Sequence, residues 1–339
     1  MHRAQSIELS RRRLLAAGGA LALGAVATAC GSSASSASTN DDAWSFTDDR
    51  KKRISAAHRP KRVVAYIGSA AALHDFGLTS EIIGVFGPTK LKSGKPDVQA
   101  GSLDISKVTI VGNVYGEFNI EKYATLQPDL LVTNMYLPSA LWFVPDDSKK
   151  KILELAPSIG INAAHVSLPE PIGRHADLAA SLGADLKATP VAAAKTRFDN
   201  AVDALRLAAK GKPKLKVLAG SASTELFYVS DPSVYADLSY FRELGVDFVM
   251  PNHVTGSGFF EDLSWEKADK YPADLIMLDN RTQASQPAAL KSNPTWSRLP
   301  AVKARQVTPW LSEPRFSYAG CAPLIESLAN AVQKAKKVT

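Results

Sequence analysis

The sequence has few cysteines, no long apolar run beyond its first 29 residues and only a modest excess of one charge. Its 339 residues include two cysteines, Cys30 and Cys321, which excludes a fold built on several disulfides. The net charge is +7, and the first 29 residues supply three of these charges through four arginines and one glutamate. About four positive charges remain, and no later Lys/Arg block is long enough to suggest nucleic-acid binding.

Common enzyme motifs are also missing. The chain has no H-E-x-x-H, no G-x-S-x-G and no P-loop, and Gly256-Ser257-Gly258 lacks the third glycine of a dinucleotide loop. The later histidines are not spaced as paired metal ligands, although distant ones could still converge on a metal ion. They are His58, His74, His165, His175 and His253. Apolar residues make up 45% and charged residues 22%, which is typical of a globular protein.

The amino-terminal segment has the organisation of an export signal. Residues 10–15 are rich in arginine, and Leu14 to Ala29 is an uncharged run of 16 residues, too short for an ordinary membrane span. The arginine pair resembles a twin-arginine signal, and Ala27-Thr28-Ala29-Cys30 resembles a lipobox. We therefore expect residues 1–29 to be a signal peptide and Cys30 to be lipidated. Export by the Sec route, and a soluble secreted protein with an incidental Cys30, stay as alternatives.

A polar segment follows Cys30. Gly31 to Asp42 consists mostly of Ser, Ala, Asn, Thr and Asp, with too little apolar surface to fold. We assign residues 30–59 to the lipidated cysteine and a flexible tether. This organisation predicts a domain anchored by lipid to the outer face of the cytoplasmic membrane.

Two α/β regions follow, joined by a helix. Short apolar runs without alternation are typical of parallel strands that are buried on both faces. The first lobe, residues 60–186, has such runs at 62–67, 82–85, 109–112 and 129–133. Apolar residues at helical spacing between Val191 and Ala209 predict one long helix over residues 187–211. The strand pattern resumes at Lys216, so residues 212–339 form the second lobe.

A short internal repeat occurs once in each lobe. Ile120-Glu121-Lys122 leads to the apolar run 129–132, and Trp265-Glu266-Lys267 leads to the run 274–277. In both, the glutamate precedes an aspartate by eight residues and a lysine follows it directly. We interpret this internal repeat as the result of duplication of a lobe.

At this point the chain resembles a known family. The segments from Asn119 to Leu131 and from Arg62 to Leu78 are similar to signatures of the binding proteins of iron-siderophore and cobalamin importers. The single long helix between two α/β lobes is similar as well, and the resemblance covers roughly residues 60–337. It implies an α/β fold of two lobes with mostly parallel central sheets joined by one long backbone helix. It also implies capture of a ligand between the lobes and delivery to an ABC permease, with little movement of the lobes.

Candidate ligand contacts follow the carboxyl ends of predicted strands, where α/β lobes bind ligands. A chelated ferric ion already has its oxygen ligands, so the protein needs apolar walls and donors rather than metal ligands. Tyrosine and tryptophan supply the walls, and arginine supplies the donors. We expect Arg281 and Arg315 to contact ligand oxygens. We expect the walls to be Tyr66, Tyr115, Tyr136, Trp142 and Trp310.

Two glutamates have a separate interpretation. The resemblance implies that one acidic residue on each lobe contacts permease arginines, and Glu121 and Glu266 match those positions. A local role is compatible, because Asn119 and Ser264 can cap the helices in which these glutamates complement the dipole.

The sequence thus predicts a lipid-anchored, monomeric substrate-binding protein that takes a ferric siderophore, of hydroxamate type, to an ABC permease. It predicts no enzyme, no cofactor, no directly bound metal and no nucleic-acid partner. Cobalamin or haem binding by the same fold stays open. From other classes, a ligand-presenting sensor lipoprotein and an exported two-lobed enzyme also stay open.

Overall fold

The computed structural model describes residues 43–256 and 258–339, so the predicted signal peptide and Cys30 lie outside the described residues. The first lobe is a five-stranded parallel sheet with the strand order β5-β4-β3-β6-β7. Its strands are β3 (Val63–Tyr66), β4 (Ile82–Phe86), β5 (Thr109–Gly112), β6 (Leu130–Met135) and β7 (Ser158–Asn162). Its helices are α1 (Ile67–Asp75), α2 (Ile120–Thr125), α3 (Lys149–Leu155) and α4 (Pro169–Ser181).

An antiparallel hairpin precedes this sheet, formed by β1 (Trp44–Thr47) and β2 (Arg53–Ala56). Sequence analysis placed these residues in the tether, and that part of the assignment is wrong. Trp44 is only 6% exposed and donates from Nε1 to Ser181 Oγ at 3.1 Å. Asp48 Oδ2 accepts from the backbone N of Gly160, and Asp49 Oδ2 accepts from that of Asn162, both on edge strand β7. The hairpin therefore covers a sheet edge that would otherwise be open.

Helix α5 (Thr189–Gly211) connects the two lobes. It runs for 23 residues, about 35 Å at 1.5 Å per residue. Its buried face includes Val191, Phe198 and Leu205, at the helical spacing read from the sequence. That face packs along α10 (Tyr318–Lys334), and Arg197 forms a bidentate ion pair with Glu326 across the two helices, at 2.7 Å for each bond.

The second lobe holds a six-stranded mixed sheet. Strands β8, β10, β12 and β13 are parallel, while β9 and β11 add an antiparallel edge. The strands are β8 (Lys216–Ala222), β9 (Leu226–Ser230), β10 (Asp247–Phe248), β11 (Phe260–Ser264), β12 (Leu275–Asp279) and β13 (Val307–Trp310). The other helices are α6 (Ala236–Glu243), α7 (Pro287–Leu290), α8 (Pro294–Arg298) and α9 (Pro300–Lys303). The predicted α/β fold of two lobes with one long helix is confirmed.

The aspartates of the internal repeat have the same structural role in both lobes. Asp129 precedes β6 and accepts hydrogen bonds from the backbone N of Lys61 and Arg62, which lead into β3. Asp274 precedes β12 and accepts from the backbone N of Lys216, the first residue of β8. In each lobe, one aspartate therefore ties the starts of two neighbouring parallel strands.

Two further side chains are buried. Cys321 lies inside α10. Trp296 lies in the core of the second lobe beside Phe227. Among the described residues, no helix is both long and apolar enough to cross a membrane.

We predict that Trp44→Ala lowers the free energy of unfolding by about 3 kcal/mol, because the substitution empties a buried site on the first lobe. Urea unfolding followed by circular dichroism measures this loss. Thr47→Ala, on the exposed face of the same strand, is the matched control and should change stability by less than about 0.5 kcal/mol. Equal stability of the two variants would mean that the hairpin is not part of the folded domain.

Candidate functional site

A cleft opens between the lobes at the carboxyl ends of the parallel strands. Its cavity has a volume of about 710 Å³, within the usual range for a small-molecule site. The loops after β4 and β5 form most of its lining, and Thr282 and Gln283 close it from the second lobe. Thr282 Oγ1 donates a hydrogen bond to the buried carboxylate of Asp97, so the lobes touch directly across this cavity.

Aromatic rings form one wall of the cleft. Tyr115 is 73% exposed, and its ring lies 5.9 Å from Trp142 and 5.3 Å from Phe143, centroid to centroid. Tyr136 and Tyr66 are buried behind them, 5.1 Å from Trp142 and 5.5 Å from Phe143. Four of the five predicted wall residues are therefore brought together.

Phe143, which sequence analysis missed, is central to this wall. Its φ of 60° is in the left-handed region, which costs a non-glycine residue about 1–3 kcal/mol. The neighbouring Trp142 fixes the loop, because its N donates to Asn134 O and its O accepts from Thr133 Oγ1. These hydrogen bonds to the end of β6 hold the loop in its strained conformation, and in that conformation Phe143 lines the cavity.

The carboxylate of Glu313 joins the two lobes at the base of the cleft. The residue lies in the loop after β13 and is only 6% exposed. Its Oε2 accepts from Tyr66 Oη at 2.7 Å, from Trp142 Nε1 at 3.1 Å and from Gln99 Nε2 at 3.3 Å, all in the first lobe. Burial, and then the nearby Glu313 charge, raise the pKa of Tyr66 well above its ordinary value, so Tyr66 acts as a donor.

Arg281 is the cation of this cluster. It follows β12 and contacts Asp279 through Nε at 3.0 Å and Nη2 at 2.8 Å, while Nη1 donates to Glu313. Burial lowers the pKa of the guanidinium, but the charges of Glu313 and Asp279 raise it more, so the net shift is upward. Arg281 therefore lies where the lobes meet, next to the cavity-lining Thr282, and two carboxylates balance its charge.

Arg315 and Trp310 lie elsewhere. Arg315 Nε contacts Asp75 Oδ2 at 2.9 Å, and Ser317 Oγ donates to the same oxygen, which ties the end of α1 to the start of α10. Of the ligand contacts predicted from the sequence, Tyr115 lines the 710 Å³ cavity, and neither arginine does. Trp310 is buried beside Tyr235 and donates from Nε1 to Asp237 Oδ2 at 2.7 Å. It borders a second, smaller cavity of about 210 Å³ that Arg281 also lines.

Glu121 and Glu266, the two glutamates of the internal repeat, are exposed, one on each lobe. Asn119 caps α2 by accepting from Lys122 N at 2.8 Å, as the local interpretation of Glu121 expects. Ser264 makes no such bond to the backbone, so the capping prediction is wrong there. Its hydroxyl instead bonds Glu266, which lowers the pKa of that carboxyl. A helix cap therefore accompanies Glu121 but not Glu266, so capping does not explain the position of both glutamates.

Metal ligation has no support in the described part of the chain. No group of three His, Cys, Asp or Glu side chains in residues 43–256 and 258–339 could hold a metal ion. His175 is buried in α4, where its Nδ1 bonds Pro171 O at 2.8 Å and burial lowers its pKa to about 4.

Comparisons with known proteins agree on a family. The profile of the periplasmic binding protein family matches residues 63–314. The crystal structure of DesE, a ferric-siderophore receptor protein from Streptomyces coelicolor, has 51% sequence identity and a TM-score of 0.84 over 87% of this chain and 100% of that one. The Fe(3+)-citrate-binding protein YfmC of Bacillus subtilis is 23% identical over 76% of each chain. The petrobactin-binding protein YclQ of B. subtilis shares the fold, with 18% identity and a TM-score of 0.63 over 86% of this chain and 99% of that one.

Asp237, below the cleft, gives a pH-dependent prediction. Burial raises the pKa of its carboxyl from 3.8 to about 7, although the Trp310 hydrogen bond opposes the shift. Between these values the folded protein holds a proton that the unfolded chain has lost. The resulting stabilisation is complete below pH 3.8 and is lost as the pH rises through about 7.

Asp237→Asn keeps an acceptor for Trp310 and cannot titrate. We therefore expect the difference in unfolding free energy, wild type minus variant, to fall by on the order of 4 kcal/mol between about pH 4 and pH 8. Urea unfolding at a series of pH values measures it. A difference that does not change with pH would show that this carboxyl titrates normally.

Proposed function

Because the chain belongs to the periplasmic binding protein family, we propose that it captures a ferric siderophore of hydroxamate type between its lobes and delivers it to an ABC permease. The family assignment confirms the resemblance predicted from the sequence, and members of the family are transporter binding proteins rather than enzymes. The ligand is supported by what the relatives bind: a ferric siderophore for DesE, ferric citrate for YfmC and petrobactin for YclQ.

The aromatic wall is the observation that carries the choice of ligand. Tyr115 and Phe143 line the cleft and Trp142 packs against both rings, while the cluster of Tyr66, Glu313 and Arg281 lies where the lobes meet. Such a surface suits a chelate whose metal is already enclosed by its own oxygen ligands. In this proposal neither Trp310 nor Arg315 contacts the ligand: Trp310 packs within the second lobe, and Arg315 joins the start of α10 to α1 of the first lobe.

The cellular setting is part of the proposal. We propose that residues 1–29 direct export and that lipid on Cys30 retains the domain, as a monomer, at the outer face of the cytoplasmic membrane. The lipobox-like Ala27-Thr28-Ala29-Cys30 supports the anchor. The family of extracytoplasmic binding proteins supports the location.

Tryptophan fluorescence of the purified protein tests the function. We expect saturable quenching by a ferric trihydroxamate and none by the iron-free compound, because Trp142 lies in the cleft wall. Ferric catecholate, ferric citrate and cobalamin are the comparison ligands, and an unrelated protein at equal absorbance controls for optical quenching. Saturation by cobalamin alone would overturn the siderophore assignment, and no saturation by any ligand would overturn the transport role.

Tyr115→Ala tests the wall itself. Tyr115 is mostly exposed, so we expect normal folding and about tenfold weaker binding of the ferric trihydroxamate. Leu207→Ala is the matched control, because Leu207 on α5 has the same 73% exposure. Equal affinity of both variants would remove Tyr115 from the binding site.

We further propose that Glu121 and Glu266 contact the permease. The support is that both are exposed and that they occupy equivalent positions before β6 and β12. Helix capping does not explain this equivalence, because Asn119 caps its helix and Ser264 does not.

We predict that Glu121→Gln and Glu266→Gln together reduce uptake of radioactive ferric siderophore by cells about tenfold, because charge pairs at a protein interface set its affinity and rate of association. The affinity of the purified variant for the siderophore should be unchanged. Glu154→Gln, on the exposed side of α3, is the control. Uptake equal to that of the control would exclude these glutamates from docking.

A further inference from the structure

The two arginines expected to contact ligand oxygens are both already paired. Arg281 contacts Asp279 and Glu313, and Arg315 contacts Asp75 at 2.9 Å. A ligand oxygen that approaches Arg281 meets a guanidinium whose charge two carboxylates balance. This arrangement offers donors for hydrogen bonds but no uncompensated positive charge.

Donor groups surround the carboxyl group of Glu313. Each of its described contacts comes from a donor: one cation in its own lobe and three neutral groups, Tyr66, Gln99 and Trp142, in the opposite lobe. The formal negative charge of Glu313 therefore lies where the two lobes meet, with Arg281 as its cationic partner.

The buried charges beside the cavity, where the lobes meet, sum to a negative value. Asp97 lines the cavity as a third buried carboxylate, and it faces Thr282 from the first lobe. In this cluster the formal charges of Asp97, Asp279 and Glu313 are opposed by that of Arg281. The lysines that line the cavity, Lys90, Lys92 and Lys122, and the opposing Glu117 are exposed at its rim, where salt screens them more strongly than the buried groups.

We propose that Glu313 sets the charge preference of the cleft, so that it accepts neutral or cationic ferric chelates and rejects anionic ones. This inference rests on the proposed siderophore function and narrows it. Three hydroxamates balance the charge of a ferric ion, whereas three catecholates leave three negative charges. A trihydroxamate core therefore enters without uncompensated charge, and a positive tail improves the match.

A matched series of chelates tests the proposal on the unmodified protein. The probes are the ferric complexes of one linear trihydroxamate whose terminal amine is free, acetylated or succinylated, with net charges of plus one, zero and minus one. We expect the affinity to fall in that order, by about tenfold from the first to the last, because charges several ångströms apart near a protein surface interact by that order. Rim lysines would favour the opposite order.

Ionic strength separates the buried charges from the exposed ones. At about 1 M salt the Debye length is about 3 Å, so the influence of the rim lysines is largely removed. The preference for the cationic complex should persist or increase. If the preference disappears at high salt, it comes from the exposed charges, and the proposed role of Glu313 is wrong.

Glu313→Gln tests the residue itself. Glutamine has nearly the same shape, and it removes the charge and leaves Arg281 with one carboxylate. We expect the range of affinities across the series to shrink to less than about threefold, chiefly through tighter binding of the succinylated complex. Glu154→Gln is the control, because it removes the same charge from the end of α3 that leads into β7, at the edge of the sheet away from the cleft.

The outcomes distinguish the inference from the function beneath it. If the wild-type protein binds none of the three complexes, the siderophore function fails and the charge preference fails with it. If it binds all three equally, or if a folded Glu313→Gln variant keeps the wild-type order and range, the function stands and the inference is wrong. Circular dichroism identifies an unfolded variant, and the wild-type series and its salt dependence then decide alone.

Discussion

The packing of α5 along α10 is the constraint on which the rest of the molecule depends. One helix of 23 residues connects the lobes, and its apolar face is buried over its length rather than at a flexible point. The first lobe also meets this helix pair, because Asp75 at the end of α1 contacts Arg315 and Ser317 at the start of α10. At the cleft, the lobes meet through the contacts of Glu313 with the first lobe and through the contact of Asp97 with Thr282.

The ion pair of Arg281 and Glu313 is buried where the two lobes meet. A buried ion pair such as Arg281–Glu313 recovers its desolvation cost only when further hydrogen bonds complete it. Here Tyr66, Trp142 and Asp279 complete it. Because the first two belong to the opposite lobe, satisfaction of these charges depends on the position of the lobes. A shift of one lobe relative to the other would therefore change how completely this ion pair is hydrogen-bonded.

The fold could be predicted because its signals are local. Buried parallel strands give continuous apolar runs, and the face of α5 repeats at helical spacing, so both are visible in short windows of sequence. The hairpin from Trp44 to Ala56 was missed because its four-residue strands are stable only through contacts with Gly160 and Asn162, more than a hundred residues away. No local pattern records such a pairing.

The site was predictable by region but not by side chain. The loops after the strands were located correctly, since parallel strands place their carboxyl ends at one edge. Arg281 and Arg315 had equal standing in the sequence, and only the structure separates them by their partners, Glu313 and Asp75. Glu313 lies between Trp310 and Arg315, which the sequence singled out, but an acid was not expected where the two lobes meet.

The hairpin has a consequence for how far the domain can travel. If Cys30 carries the lipid, folding of the chain from Trp44 onward leaves only residues 31–43 to span the distance to the membrane, at most about 45 Å. This reach is comparable with the diameter of a domain of this size. Confinement so close to the surface sustains an effective concentration of about millimolar near a neighbouring membrane protein. A docking contact as small as one glutamate on each lobe could then operate at weak intrinsic affinity, and the emptied domain could leave quickly without being lost.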